Sequence, residues 1–417
     1  MSESSPATRS TVVIVPRDSE DPIATQPPVQ WALKRLTDTL RNAGITVTDE
    51  GAGDVHIVFA GDADATPESL ALARPEGNEG PILATGADAR GLSYALSELA
   101  DRITYAVDPI ATLAATADLT ESPATPVRSI SRVFVSEVED TPWFHDRAFW
   151  AEYLTELATN RVNRLQLAFG MAYNYPHNPA TDNYFCFAYP FFLDVPGYNV
   201  RAEGIPDNER DRNLQMLRFI SDETKRRGIH FQLGLWNHAY DQGPTSQPTH
   251  PILGLTPETH AEYCAVALAQ LLHECPSIDG LTFRVHYEGG VPEPGHDFWR
   301  TTMAGAARAG RRVEIDMHAK GVDAGLLEVA RQTGQPVVLG AKHWAEHQGL
   351  PYQQTTIRDK EKATAGPGTG VMAITAHQRR FTRYGYGDFL REGRDFDLLF
   401  RIWPGTQRVL LWGDPEL

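Results

Sequence analysis

The chain has 417 residues, of which 41% are hydrophobic and 22% charged, and its formal net charge at pH 7 is -16. This length exceeds one small domain and accommodates a barrel together with an accessory domain. The acidic charge is spread along the chain, which disfavours nucleic acid as a partner because phosphate binding needs a basic patch, and no apolar run reaches the ~18 residues of a membrane span.

Three cysteines cannot form a complete set of disulfide pairs, and the spacing of Cys186, Cys264 and Cys275 matches no zinc signature. A reducing compartment is therefore the simpler inference. Residues 1–10 are serine-rich, are expected to be disordered, and lack the apolar core of a signal peptide. These observations predict a cytoplasmic protein, and the stop at Leu417 directly after an apolar run predicts a fragment of a longer chain.

Residues 11–106 predict a small α/β accessory domain in which apolar strands alternate with amphipathic helices. The strands are predicted at 11–16, 55–59 and 81–85, and the helices at 29–42 and 86–101. This region has no glycine-rich phosphate-binding fingerprint, so no nucleotide cofactor is expected. Residues 107–127 are rich in Ala, Thr, Asp and Pro, which predicts a linker.

Residues 128–417 repeat a strand–helix alternation that predicts a (β/α)8 TIM barrel whose final helix is missing. Strands are predicted at 129–135, 163–169, 229–235, 280–286, 313–317, 336–341, 396–402 and 408–412, with helices at 149–159, 210–227, 257–273, 296–309 and 324–333. A doubly wound sheet fits the alternation but fits the number of strands less well. The long segments 171–208 and 343–395 are expected to be loops over a site.

The stretch from Gly280 to Gly290 combines a buried strand with a row of polar residues. Successive side chains on a strand alternate between faces, so Arg284, His286 and Glu288 share one side. Such groups are costly to bury unless they are paired. They form either part of a polar site or a structural arginine–glutamate pair that closes the sheet.

Most of the predicted barrel strands end in aromatic, histidine, carboxylate or cationic residues. In a (β/α)8 barrel the active site lies at these carboxyl ends, so the pattern favours a functional site. The candidate residues are Trp236, Asn237, His238, Arg284, His286, Glu288, Asp316, His318, Lys342, His343, Trp344, Arg401, Trp403 and Asp414.

These residue types favour carbohydrate chemistry. Aromatic rings pack on the C–H faces of sugars, although some of the aromatic residues here are expected to be ordinary core. Glycosidic cleavage needs one carboxyl as general acid and a second as base or nucleophile. Glu288 in a largely apolar surround suits the acid. Asp316 is the predicted second carboxylate, with Asp414 and Glu346 as rivals; alternatively, Asp316 is an ion-pair partner for a nearby cation.

Three cations, Arg284, Lys342 and Arg401, are predicted to face the barrel interior. They favour an anionic substrate such as a uronic-acid-containing glycan, or they neutralise the carboxylates of the site. The first barrel strand lacks a His-x-His pair, which disfavours a catalytic metal, and no Gly-x-Ser-x-Gly supports a nucleophilic serine. We therefore expect a carbohydrate substrate, no cofactor and no metal. Self-association is left open, and the alternative function is a non-catalytic carbohydrate-binding barrel.

Two stretches resemble known glycoside hydrolases. Ile82–Leu96 resembles the accessory α/β domain that precedes the barrel in xylan α-glucuronidases and, more distantly, in β-hexosaminidases, and 149–165 resembles their barrel entry. The resemblance implies a general acid glutamate at the end of the fourth strand, which corresponds to Glu288. Hexosaminidases have Asp-Glu there, whereas this chain has Tyr287-Glu288, which disfavours substrate-assisted cleavage of N-acetyl sugars and favours the glucuronidase group.

Overall fold

A computed structural model describes residues 10–75, 80–170, 180–241, 243, 246–319, 321–342 and 396–401. The chain divides into two compact units. The first comprises Met1–Ile130, Arg147–Leu165 and Asp222–His230, and the second comprises Ser131–Asp146, Gln166–Ser221 and Phe231–Leu417. Among the described residues, no helix is both long enough and apolar enough to cross a membrane.

The first unit contains a six-stranded sheet in the order β2-β1-β3-β5-β4-β6. Its elements are β1 (Thr11–Pro16), α1 (Pro27–Asn42), β2 (Thr46–Thr48), β3 (Val55–Gly61), β4 (Leu70–Ala73), β5 (Ile82–Gly86), α2 (Ala89–Thr104), α3 (Pro109–Ala114) and β6 (Leu119–Glu121). Strands β2, β1, β3 and β5 pair in parallel, whereas β4 runs antiparallel to both of its neighbours.

Helix α2 begins at a side-chain cap and buries an apolar face. The carboxylate of Asp88 accepts hydrogen bonds from the backbone nitrogens of Arg90 and Gly91, which satisfies amide groups that have no partner within the helix. Leu92, Leu96 and Leu99 recur at helical spacing, and all three are fully buried. The amphipathic helix predicted at 86–101 is therefore confirmed as α2, Ala89–Thr104.

The prediction of a linker at 107–127 is wrong, because this segment carries α3 and β6. Asp108 caps α3 by accepting from the amide of Ala111, and β6 pairs antiparallel with β4. Strand β6 has three residues and its partner β4 has four, which is too short for a periodic pattern to predict either strand. Their pairing depends on neighbouring strands that local sequence does not reveal.

The second sheet contains seven strands in the order β17-β16-β15-β14-β11-β8-β7. The elements from Ser129 onwards are β7 (Ser129–Val133), α4 (Glu137–Phe144), α5 (Arg147–Thr159), β8 (Arg164–Phe169), β9 (Ala180–Thr181), β10 (Arg201–Ala202), α6 (Asp207–Arg226), β11 (His230–Leu235), β12 (Gln247–Pro248), β13 (Ile252–Leu253), α7 (Pro257–Glu274), β14 (Gly280–Phe283), α8 (His296–Ala307), β15 (Glu314–His318), α9 (Ala324–Arg331), β16 (Val337–Lys342) and β17 (Asp397–Arg401).

The strands of this sheet follow one another in space as they do in the chain, apart from two-residue strands that pair elsewhere. Strands β11, β14, β15, β16 and β17 pair in parallel, and helices connect most of them. This is the arrangement of a (β/α)8 barrel, as predicted. The eighth predicted strand, 408–412, lies outside the described residues.

An aromatic core occupies part of the segment 171–208, which was predicted to be a loop over a site. Phe185 is fully buried, and its ring centroid lies 4.6 Å from that of Phe134 and 4.9 Å from that of Phe169. Among the described residues of the segment, the buried aromatic ones are Tyr184, Phe185, Phe187, Tyr189, Phe191 and Phe192. From 184 to 192 the segment is therefore core, because burying these rings stabilises the fold.

Candidate functional site

Strand β14 ends at Phe283, which is earlier than the predicted end at His286. The chain then passes through Arg284 and Val285 into a 3-10 turn at Tyr287–Gly289. The amide of Gly289 donates to the carbonyl of His286 at 2.7 Å, which closes the turn. Glu288 is therefore presented from a turn at the carboxyl end of the strand.

A glycine pair allows this turn to pack closely against its surroundings. A Cβ at Gly289 would lie 1.9 Å from the carbonyl oxygen of Arg284. At Gly290, whose φ is +84°, a Cβ would lie 2.5 Å from the amide nitrogen of Ala239. The amide of His238 also donates to the carbonyl of Gly289 at 2.8 Å. The turn is thus fixed both to the end of β14 and to the segment that follows β11.

Glu288 lies beside a cation and an imidazole. Its carboxylate forms an ion pair with Arg284, and its Oε2 lies 3.4 Å from Nε2 of His286. Arg284 and His286 are buried, whereas the side chain of Glu288 is 14% exposed. The carboxylate is therefore held in place yet still reached by solvent.

The ring of His286 has two neighbours that can donate to it. Nε of Arg284 lies 3.1 Å from Nε2, and the amide nitrogen of Glu288 lies 3.3 Å from Nδ1. A neutral imidazole accepts at one nitrogen and donates at the other. The proton on His286 therefore decides whether the ring accepts from Arg284 or presents Nε2–H to the Glu288 carboxylate.

The rings of Trp236 and His318 lie beside this group. The ring centroids of Trp236 and His318 are 5.6 Å apart, and those of His286 and His318 are 5.3 Å apart. The guanidinium carbon of Arg284 lies 5.8 Å from the centroid of the Trp236 ring. The structure thus brings together five predicted site residues at one end of the sheet, and we call Trp236, Arg284, His286, Glu288 and His318 the strand-end cluster.

Asp316 lies deeper in the barrel than this cluster. It pairs in register with Thr282, two residues before Arg284, and is fully buried. The Thr282 hydroxyl donates to Asp316 Oδ2 at 2.8 Å and accepts from the side-chain amides of Gln166 at 2.7 Å and Gln232 at 3.1 Å. This uses the one donor and both acceptor positions of the hydroxyl.

The hydrogen bonds continue to the first barrel strand, where the Ser131 hydroxyl donates to Gln166 Oε1 at 3.1 Å. We call Ser131, Gln166, Gln232, Thr282 and Asp316 the polar chain. Alternation along β14 puts Thr282 on the same face as Arg284, whereas the sequence prediction did not single out Gln166 or Gln232. Their positions within two apolar strands were the available signal, because a buried polar side chain needs a partner.

Asn237 and His238 follow β11 and lie against the turn that carries Glu288, because the His238 amide donates to Gly289 and Asn237 Oδ1 lies close to Gly290. Asn237 Oδ1 accepts from the amide of Ala239 at 2.7 Å, which is a local turn contact. The ring of His238 is fully buried between Phe283 and Trp299, with centroid distances of 5.8 and 5.0 Å. Phe283 faces the opposite side of β14 from Thr282 and Arg284. His238 therefore lies on the helix-facing side of the sheet.

Burial is the main cause that lowers the pKa of His238 to about 3, and the neighbouring His260 lowers it further. Nε2 of His238 lies 3.1 Å from the hydroxyl of Tyr189. The imidazole is consequently neutral at neutral pH and forms part of the aromatic packing.

The remaining predicted site residues belong to the last strands. Lys342 ends β16 and Arg401 ends β17, and the two are register partners on adjacent strands. His343, Trp344, Trp403 and Asp414 lie outside the described residues, as does the rival carboxylate Glu346. Within the described ranges, no group of three or more His, Cys, Asp or Glu residues is placed to hold a metal ion.

No family model and no curated protein matches the chain. Among solved structures, a GH138 enzyme targeting pectin rhamnogalacturonan II is similar, with a TM-score of 0.61, 16% identity, and coverage of 84% of this chain and 41% of that one. The chain thus spans about two fifths of that structure, and a likeness at this identity shows the fold.

Two further similar structures have TM-scores below 0.5. A GH20 exo-β-N-acetylglucosaminidase from Vibrio harveyi has a TM-score of 0.46, 13% identity, and coverage of 81% of this chain and 58% of its own. A GH115 4-O-methyl-α-glucuronidase with specificity for decorated arabinogalactans has a TM-score of 0.44 and 10% identity, and the match covers 81% of this chain and 46% of that one. These three similar structures are glycoside hydrolases.

Proposed function

We propose that the chain is a glycoside hydrolase that cleaves a uronic-acid-containing oligo- or polysaccharide with a pair of carboxylates. The observation that carries the proposal is the position of Glu288: a partly exposed carboxylate at the end of a barrel strand, beside Arg284 and His286. Active sites of this fold lie at these strand ends. The similarity in fold to a GH138 enzyme targeting pectin rhamnogalacturonan II supports the same class of reaction.

Arg284 supports an anionic substrate. A general acid must carry a proton when the glycosidic bond breaks, whereas an adjacent guanidinium favours the ionised form of Glu288. Arginine pairs with a sugar carboxylate in bidentate fashion. A uronate that pairs with Arg284 in place of Glu288 would therefore remove this stabilisation of the Glu288 anion. Binding of the correct sugar would then prepare Glu288 to accept its proton.

Asp316 is the proposed second carboxylate. Thr282 holds it in the buried polar chain, and its rivals Asp414 and Glu346 follow later strands. Asp316→Asn keeps an oxygen that accepts from Thr282, so a loss of kcat in this variant would measure the missing charge. Unchanged kcat in Asp316→Asn, with loss in Asp414→Asn or Glu346→Gln, would transfer the role to that rival.

The first prediction concerns Glu288→Gln. We expect wild type to hydrolyse aryl uronides in preference to neutral aryl glycosides, and the variant to lose about 10²–10⁴-fold in kcat, because the amide cannot exchange the proton. The panel should include oligosaccharides from pectin rhamnogalacturonan II, the target named for the similar GH138 enzyme. Initial rates by chromogenic assay and chromatography measure the effect.

Glu293→Gln is the matched control for this experiment. Glu293 follows the same strand, and its Oε1 accepts from the amide of Tyr287 at 3.1 Å, a contact that glutamine preserves. We expect nearly wild-type turnover from this control. Equal turnover by wild type and Glu288→Gln would remove Glu288 from the mechanism.

The ion pair also favours a second candidate function, a non-catalytic carbohydrate-binding barrel. A glutamate that serves only to pair with Arg284 would explain the same contact without chemistry. Calorimetric titration discriminates the two functions. Binding of pectin-derived oligosaccharides by wild type, with no product after prolonged incubation, would establish the binding protein and exclude the hydrolase.

A further inference from the structure

Tyr287 leaves a large aromatic ring in solvent at the strand-end cluster. Its exposed fraction is 58%, although the residues on both sides of it, His286 and Glu288, point into the protein. Among the described residues, the other exposed large hydrophobic side chains are Tyr105, Val107 and Val138. A single exposed aromatic ring is ordinary, so its position and its support decide whether it has a role.

The backbone of Tyr287 is fixed on both sides. Its amide donates to Oε1 of Glu293 at 3.1 Å, and its carbonyl accepts from the amide of Gly290 at 3.0 Å. The ring lies edge-on to that of His286, with centroids 5.8 Å apart at 73°. Tyrosine has only two side-chain torsions, so a ring on such a fixed turn loses little entropy when a ligand covers it.

The turn points the neighbouring side chains of Tyr287 and Glu288 in different directions. Glu288 faces inward to Arg284, while the phenol ring of the preceding residue stays outside. Consecutive Cα atoms are ~3.8 Å apart, so Tyr287 and Glu288 leave the same turn at neighbouring points. A phenol carries no charge and offers a flat apolar face with a polar tip, which fits the C–H face of a sugar.

We propose that Tyr287 is a stacking residue for a sugar ring adjacent to the ring whose bond is broken. The uronate itself is assigned to Arg284, so Tyr287 binds a second ring of the glycan and confers a preference for oligosaccharides over single-sugar glycosides. This inference rests on the proposed glycosidase function.

The test compares Tyr287→Ala, Tyr287→Phe and Tyr287→Trp on a 4-nitrophenyl uronide and on the pectin-derived oligosaccharides. Stacking of this kind corresponds to about a 3–10-fold change in binding. We expect Tyr287→Ala to raise KM for the oligosaccharides by about this factor while KM for the aryl uronide stays within about twofold. Tyr287→Phe and Tyr287→Trp keep an aromatic face and should retain the wild-type preference.

Tyr105→Ala is the matched control, because Tyr105 is an exposed tyrosine of the first unit, at the end of α2. It should change neither KM, and all variants should keep the wild-type melting temperature. Equal KM changes on both substrates, no change in Tyr287→Ala, or a loss in Tyr287→Phe as large as in Tyr287→Ala would overturn the stacking role.

Failure of the proposed function is recognised separately. If wild type cleaves no substrate, calorimetry on the same oligosaccharides replaces kinetics. Binding that is about 3–10-fold weaker in Tyr287→Ala then supports the stacking role in a carbohydrate-binding barrel. Equal binding by both proteins, or binding by neither, overturns it.

Discussion

Glu68 shows how a single buried carboxylate organises the first unit. It accepts hydrogen bonds from Asn163 at 2.9 Å, from Arg90 at 2.8 Å and from Arg128, and the hydroxyl of Tyr94 lies 3.3 Å away. Burial alone would raise the pKa of Glu68, but these hydrogen bonds and positive charges outweigh burial and lower it. The carboxylate therefore remains ionised inside the unit.

Replacing this carboxylate is expected to destabilise the protein. Glu68→Gln keeps the size of the side chain but leaves the Arg90 and Arg128 guanidinium groups without their counter-ion, which costs about 3 kcal/mol. Urea unfolding measures the loss, and Glu50→Gln, at an exposed position, is the control. Equal midpoints for Glu68→Gln and wild type would show that the ion pairs are not needed for stability.

Residue alternation predicted which side chains face one another, but not their depth. Arg284, His286 and Glu288 lie together, but β14 ends at Phe283, and Glu288 reaches Arg284 from a 3-10 turn and not by strand alternation. Asp316 has the expected inward direction, yet its register partner is Thr282, which places it below the strand-end cluster. The relative stagger of two strands is set by their pairing, and the sequence of one strand does not contain it.

At the scale of elements, the polar chain joins the inner faces of several barrel strands through one hydroxyl. Thr282→Val keeps the shape of the side chain but removes the group that donates to Asp316 and accepts from Gln166 and Gln232. We expect a loss of about 2–3 kcal/mol in the free energy of unfolding, because buried polar groups then lose a partner. Denaturant titration measures it.

Thr282→Ser supplies the control for this prediction, since it retains the hydroxyl and removes only a methyl group. It should cost about 1 kcal/mol. A valine variant as stable as the serine variant would show that the hydroxyl contributes nothing to the stability of the barrel.

Long, periodic elements were predictable, and short ones were not. The helix predicted at 257–273 is observed as α7, Pro257–Glu274, because proline and the Thr256 capping box mark its start. Strands β4 and β6 were missed, since each has at most four residues and is stabilised by pairing with neighbouring strands that the local sequence does not reveal. The buried aromatic segment at 184–192 was mistaken for a loop because its turns interrupt any regular period.

For the whole molecule, stability should decline as the solution becomes acidic. Burial is the main cause that lowers the pKa of His238 to about 3 and that of His260 to about 4. An unfolded histidine titrates at about pH 6.5. Above that pH the buried neutral imidazoles contribute fully to the stability of the folded state, and this stability is lost as the pH falls towards 4. The pKa of Glu68 is lowered, so this carboxylate adds a second loss of folding stability once the pH falls below the ordinary pKa range of a carboxyl group.

Urea midpoints between pH 8 and pH 4 test this dependence. For His238 alone, the difference between folded and unfolded titration corresponds to about 2 kcal/mol at pH 5. His260→Phe should flatten the decline between pH 7 and pH 5, whereas His56→Asn, at an exposed position, should not. A decline that is unchanged in His260→Phe would contradict the assignment to buried histidines.

The class of the fold followed from the regular spacing of strand and helix patterns over the second part of the chain. The similarity in fold extends over 84% of the chain at 16% identity. Such a resemblance survives extensive sequence change because apolar periodicity, rather than particular side chains, specifies the layers. The site depends on which particular side chains contact each carboxylate, and apolar periodicity does not specify them. The site was therefore less predictable than the fold.

The order of the strands has a consequence for how the protein is made. In the barrel sheet each long strand pairs with the one synthesised just before it, so the sheet can lengthen from one side as the chain emerges. The first sheet differs, because some of its strands do not pair with the strand that precedes them in the chain. Strand β3 pairs with β5 and not with β4, and the edge strand β6 pairs with β4 and not with β5. Its antiparallel edge therefore closes only after residue 121 has been added, and residue 121 precedes the first barrel strand.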